Sequence, residues 1–221
     1  LVLENVPFML RLDRGQAISA LVKELEKRGW AWAYRIIDAR AFGLPQRRRR
    51  VLLVASRDGD PRPALLGQDK GPPEPRKRGQ HACGFYWTEG NRGVGWAIDA
   101  IPPLKGGSGV SIPSPPAIWF PRRKLIATPT IEDAERLQGF DAGWTAPAGD
   151  TQQGERRRWR LVGNAVSTRM SEWIARRLSK DLQYYIDDKD TELHGHIKWP
   201  DAAWGFDSER AACPVSDWPV D

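Results

Sequence analysis

Four short blocks of residues have the types and spacing to build one chemical site: Glu4-Asn5-Val6, Gln46 with Arg47 to Arg50, Glu135 to Phe140, and Gly163-Asn164-Ala165-Val166. Glu4 follows the apolar run Leu1-Val2-Leu3, which reads as a buried strand. A carboxyl group at such a strand end is partly withdrawn from water, which suits proton donation near neutral pH. A guanidinium offers several donors in a fixed fork and stays charged, so it fits a carbonyl edge or a carboxylate. On an extended segment neighbouring side chains face opposite ways, which separates Arg48 and Arg50 from Arg47 and Arg49. Taken singly, each block has a plain structural alternative: a polar strand end, a solvated charge run or localisation signal, a helix end with a packed phenylalanine, and a turn entering a helix.

The elements that must position these blocks are legible as patterns. After the first strand, Ile18, Leu21, Val22 and Leu25 share one face of a helix from about Gln16 to Arg28, with Asp13 as its N-cap and Gly29 as its stop. Trp32 to Ile37 reads as an extended segment, and Val51-Leu52-Leu53-Val54-Ala55 as a β-branched strand. Alternating strands and a helix predict an α/β domain with a largely parallel sheet. From about Arg57 to Ala127 prolines and glycines become dense, yet Phe85, Tyr86, Trp87, Trp96, Trp119 and Phe120 argue against a disordered linker, so a loop-rich subdomain with short strands is expected. A helix over Ile131 to Gln138 ends at Gly139, and another runs from near Ala165 to Leu178 with Met170, Trp173 and Ile174 on its apolar face.

Composition bounds the partners. The chain is 40% hydrophobic, enough for a true core, and contains no run of about 18 apolar residues and no signal peptide, so an intracellular, cytoplasmic setting is the expectation. Residues 181–221 carry ten acidic and three basic side chains, so the net charge of +6 leaves +13 on residues 1–180. A body that positive favours a polyanion, nucleic acid above all, while a well-solvated basic surface is the bland alternative. Cys83 and Cys213 match no disulfide framework or metal spacing, and His81, His194 and His196 are too scattered for ligands, so no metal is expected.

In this order the four blocks resemble the later conserved segments of the DNA cytosine-5 methyltransferase family: Glu-Asn-Val, Gln-x-Arg-x-Arg leading into a strand, a variable target recognition region, an Arg-Leu-Gln-x-Phe helix and a Gly-Asn-x-Val helix start. The resemblance covers residues 1 to about 180 and implies an α/β fold, the later part of a Rossmann-like methyltransferase sheet plus a mainly β target recognition subdomain. It implies boundaries at 1–56 for the catalytic α/β part, 57–127 for target recognition, 128–180 for a helical return and 181–221 for an acidic extension. The family's Gly-rich cofactor loop and its Pro-Cys nucleophile do not occur in the sequence, and neither cysteine has that context. Leu1 is no ordinary start, and the expectation is a fragment or a split enzyme completed by another subunit, a non-catalytic DNA-binding remnant being the third reading.

By resemblance, Glu4 is the acid that protonates or hydrogen-bonds N3 of a cytosine flipped out of duplex DNA, and Arg48 contacts the carbonyl edge of that base while helping to hold Glu4. Asn5, Gln46 and Arg50 then support the site. Gly163, Asn164, Ala165 and Val166 close over the methionine end of S-adenosyl-L-methionine. The stretch Lys105, Gly106, Gly107 and Ser108 resembles a DNA-recognition loop, in which glycines permit close approach and the lysine meets phosphate or guanine; a plain surface loop remains the alternative.

Overall fold

Apolar runs too short for helices form the strands of the larger sheet. The computed structural model describes residues 1–67, 69–86, 95–106, 115–180, 182–185, 189–193 and 198–219. Strand β1 (Val2–Asn5) leads through two short 3-10 turns to helix α1 (Gln16–Lys27), then to β2 (Ala31–Asp38) and β3 (Arg49–Ser56). Helix α1 buries Ile18, Val22 and Leu25 against Trp32, Tyr34, Val51 and Leu53 of the sheet, as its periodicity predicts. Its N-terminus differs from expectation. Gly15, at φ 86°, occupies the N-cap, and Asp13 sits in the left-handed region without capping the helix. The chain needs a tight reversal there, and Leu10 and Gly15 are buried beneath Trp199, whose ring leaves no room for a Cβ at position 15.

The expected largely parallel sheet is not found. The strand order is β1-β3-β2-β9-β10-β8, where β8 is Thr191–Glu192, β9 Ala202–Phe206 and β10 Glu209–Ala212, and every hydrogen-bonded pair is antiparallel. The cause is topological: β3 enters between β1 and β2 and runs against both, so those two are parallel to each other but share no ladder. As the edge strand, β1 is only half buried, with Val2 46% exposed, rather than the buried strand its apolar run suggested.

Residues after Lys180, expected as an acidic extension, contribute to this sheet. Strand β9 pairs with β2 over Trp32 to Arg35, and Trp199 packs edge-on against Trp32. The buried Arg35 guanidinium donates to the Ser216 and Leu65 carbonyls and to Asp69. Arg62, paired with Asp60, lies over the rings of Tyr184, Trp204 and Phe206 at 5.0, 4.6 and 4.4 Å. Helix α2 (Arg62–Leu66) packs on β2 in this same unit, which comprises Leu1–Ala41, Arg49–Pro73 and Glu172–Asp221.

The second unit comprises Phe42–Arg48 and Glu74–Ser171. Its sheet is short-stranded and antiparallel, in the order β5-β4-β6-β7, from β4 (Cys83–Phe85), β5 (Ala97–Ile98), β6 (Ala117–Phe120) and β7 (Leu125–Ala127). Helix α3 (Ile131–Gln138) starts on a Thr130–Asp133 capping box and stops at Gly139, whose φ of 97° a glycine adopts without penalty. Helix α4 (Gln152–Asn164) was not expected. It buries Trp159 and Val162 against Ile101, Leu104, Ile131 and Ala134. Consequently Gly163 and Asn164 end a helix rather than start one, and α5 (Thr168–Leu178) begins three residues after Ala165. Cys83 and Cys213 are both buried free thiols, and among the described residues no cluster suits a metal ion. No described helix is long and apolar enough to cross a membrane.

Candidate functional site

In the first unit the antiparallel register decides what meets Glu4. Glu4 lies opposite Leu52, so the side chain two positions earlier on β3 is its diagonal neighbour on the same face. That residue is Arg50, whose Nε stands 2.9 Å from Glu4 Oε1, with both side chains largely buried. Burial lowers the Arg50 pKa, and the charge and hydrogen bond of Glu4 act in the opposite direction. Asn5 accepts a hydrogen bond from the Val6 amide through its own side chain and stays exposed. Arg49 turns to the other side and pairs with Asp201 and Asp217, each at 2.8 Å, as alternation on a strand requires. Sequence reasoning singled out Arg48 to hold Glu4 and gave Arg50 a supporting part; the guanidinium that reaches Glu4 is that of Arg50.

In the second unit Gln46, Arg48 and Gln138 form a buried polar knot. Arg48, 2% exposed, donates to the carbonyls of Ala165 at 2.8 Å and Gly163 at 3.3 Å, and more weakly to that of Leu104 at 3.5 Å. Gln46 accepts from the Leu104 amide and donates to Leu137 O and Gln138 Oε1, while Gln138 donates to Ala165 O. The knot fixes three segments that are remote in sequence: the end of α3, the turn after α4 and the chain entering Lys105. Of the expected recognition loop, Lys105 lies with its ammonium 4.0 Å from the Tyr86 ring centre, and the backbone of Lys105 and Gly106 packs on Gly163 so closely that position 163 has no room for a side chain. Gly107 and Ser108 fall outside the described residues.

Glu135 belongs to the same unit and escaped assignment from sequence, although it opens the Glu135 to Phe140 block. Fully buried, it accepts from the Thr145 amide and hydroxyl, the Gly143 amide and Arg158. Burial pushes the Glu135 carboxyl up, but these donors outweigh it and hold its pKa below the usual carboxylate range. Its effect is to pin the loop that carries Trp144, which stacks on Phe140 at 5.5 Å while remaining 63% exposed. Both rings line an open pocket of about 710 Å³ together with Leu161, Asn164 and Ala165. The carbonyls of Gly163 and Ala165 are tied back by Arg48, while Asn164 and Val166 face outward. The Asn164 carboxamide has no protein partner among the described residues.

Comparison with known proteins bears on the family. Residues 1–81 match the family model described as C-5 cytosine-specific DNA methylase. The type II methyltransferase M2.BsuMI of Bacillus subtilis (strain 168) is 49% identical over 227 residues, an alignment spanning 99% of this chain and 57% of that protein. The type II methyltransferase M.DsaV of Dactylococcopsis salina is 27% identical over 85% of this chain and 57% of its own length. The chain thus spans a little over half the length of these curated relatives. Among solved structures, the Entamoeba histolytica methyltransferase EhMeth shares the fold at a TM-score of 0.50 and 14% identity, over 81% of this chain and 63% of that one. With the ordered blocks and the sheet that holds them, these matches place the chain in the DNA cytosine-5 methyltransferase family, over the C-terminal portion of its members.

Proposed function

We propose that this chain supplies the base-binding carboxylate and the DNA-reading unit of an enzyme that methylates C5 of cytosine in double-stranded DNA. The observation that carries the proposal is the Glu4–Arg50 pair, a carboxyl and a guanidinium held together at the C-terminal end of β1. A cytosine extruded from the duplex presents N3 and O2 on one edge, and extrusion costs a few kcal/mol that complementary contacts must offset. Glu4 hydrogen-bonds or protonates N3, which makes C6 more electrophilic toward a thiolate and C5 in turn nucleophilic. Arg50, positioned by Glu4, donates to the carbonyl. Arg48 is assigned to fixing the Gly163–Ala165 turn rather than to the base, because both terminal nitrogens of its guanidinium donate to main-chain carbonyls. In this reading the thiolate comes from outside the 221 residues.

S-adenosyl-L-methionine supplies the electrophilic methyl group when bound. The second unit fits one side of such a cofactor: Asn164 offers an exposed carboxamide with no partner among the described residues, Val166 an exposed apolar surface, and the turn between them is held rigid from behind by Arg48 and Gln138. Lys105 and Gly106 are assigned to the DNA, with Gly107 and Ser108 as the continuation of that loop. The decisive experiment uses the chain completed by the missing portion, either fused or co-expressed. Glu4→Gln and Arg50→Ala are each expected to remove most tritiated-methyl transfer while duplex binding persists. Full turnover by both variants would withdraw the assignment.

A further inference from the structure

The turn that joins β6 to β7 carries Pro121, Arg122, Arg123 and Lys124. Arg122, Arg123 and Lys124 are all exposed, and none has an acidic partner among the described residues. Arg76, Arg136 and Arg158 of this unit are ion-paired, to Asp99, to Asp133 and to Glu132 with Glu135, whereas Arg122, Arg123 and Lys124 are three exposed cations in a row on one turn. The unpaired trio stands on a rigid base, because Trp119 of β6 packs edge-on against Trp96, which in turn packs on Phe85. Lys124 adopts φ 49° and ψ 38°, a left-handed conformation that side-chain-bearing residues rarely take and that a glycine would hold without strain. A strained lysine where glycine would serve the turn better directs attention to what its side chain does.

We propose that this turn is a phosphate clamp, which grips the backbone of duplex nucleic acid independently of sequence and sets the register of the second unit on it. The inference rests on the DNA-methylating reading above and adds a contact site that the conserved blocks do not contain. Three cations on consecutive positions of a fixed turn suit a row of phosphates, because each neutralised phosphate releases condensed counterions. The neighbouring Leu125 and Ile126, 48% and 53% exposed, flank the charges with apolar surface. Duplex nucleic acid is favoured over an acidic protein because the trio lies in the unit with sixteen basic against nine acidic residues, an excess matched to a polyanion.

The test measures binding of the 221-residue chain to a fluorescent DNA duplex as a function of salt. Replacing Arg122, Arg123 and Lys124 together by Gln is expected to weaken binding on the order of 100-fold at low salt and to reduce the slope of log K against log salt by about 2 to 3. Lys124→Gly alone is the sharper variant, since it removes one charge and relieves the backbone. It is expected to keep or raise the melting temperature while weakening DNA binding roughly 5- to 10-fold and lowering the slope by about 0.9. Lys23→Gln with Lys27→Gln, on α1 of the other unit, serves as a control that removes two charges elsewhere and is expected to leave the slope unchanged. An unaltered slope in both turn variants, with wild-type DNA binding intact, overturns the clamp alone. No duplex binding by the wild-type chain overturns both the clamp and the DNA reading. Loss of binding to phosphatidylserine vesicles without loss on DNA assigns the turn to a membrane surface and likewise overturns the clamp.

Discussion

The two units of this chain are stabilised differently. In the first, 18 basic residues meet 19 acidic ones, and ion pairs tie the last forty residues to the rest of the unit: Asp201 and Asp217 hold Arg49 of β3, and Glu26 on α1 holds Arg210 of β10. Its interior is an extended apolar cluster around Trp32, Tyr34, Ile36, Val51 and Leu53. The second unit has a smaller apolar cluster and inserts fully buried polar side chains, Gln46, Glu135 and Gln138, with Arg48 beside them. Such networks fix one geometry and are costly to break, whereas apolar burial is non-directional. The second unit's loops are thus tied together by buried side-chain hydrogen bonds, whereas the first unit, which also buries Arg35 and Asp38, has the larger apolar cluster and the longer sheet.

If that contrast is right, the largest effect comes from cutting the chain after Lys180. The first unit then loses β8, β9 and β10 and uncovers Trp32, Tyr34 and Arg35, at a cost of at least about 4 kcal/mol, enough to unfold it. Hydrogen exchange is expected to show β2 amides unprotected, while α3 and α4 keep their protection. Equal protection in β2 with and without the last residues would make the tail dispensable. Next in size is Glu135→Ala, which removes one of the two carboxylates that hold Arg158, leaves the Gly143 amide and the Thr145 amide and hydroxyl without their acceptor, and is expected to destabilise the second unit by about 3 kcal/mol in denaturant titration.

Acidity sharpens the same contrast. The Glu135 pKa is depressed in the folded state, so its stabilisation is present above the unfolded carboxylate value of about 4.3 and is lost as pH falls through the lower folded value. Glu135→Gln is therefore expected to flatten the acid limb of the second unit's stability curve. An unchanged limb would show that other carboxylates set it. A smaller effect is expected for Thr130→Ala, which breaks the capping box of α3 and lowers stability by about 1 kcal/mol. The smallest is Arg28→Ala on α1, where the exposed pair with Glu24 contributes about 0.3 kcal/mol, a shift at the edge of detection by thermal melting.

Much of this was legible in the residues. Helix α1 announced itself through Ile18, Val22 and Leu25, and the end of α3 through Gly139, because apolar stripes and glycine stops are local signals. Helix α4 was missed because Arg156, Arg157, Arg158 and Arg160 dilute its apolar face to little more than Trp159 and Val162. The tail was missed because β9 contains Ala202, Ala203 and Gly205, small residues without strand propensity. All three are buried, and at position 205 the ring of Trp32 leaves no room for any side chain.

The sequence by itself determined the chemical inventory: a carboxylate after an apolar strand, an arginine run before another, a capped helix, a Gly-Asn turn and an excess of positive charge outside the tail. Only the tertiary structure decided which arginine meets Glu4, because the answer depends on β3 inserting antiparallel beside β1 with Glu4 opposite Leu52. That register makes Arg50 the diagonal neighbour, whereas Arg48 is buried with its terminal nitrogens on the carbonyls of Gly163 and Ala165. Strand pairing joins residues nearly fifty positions apart, and no local propensity encodes which partner an edge strand will take.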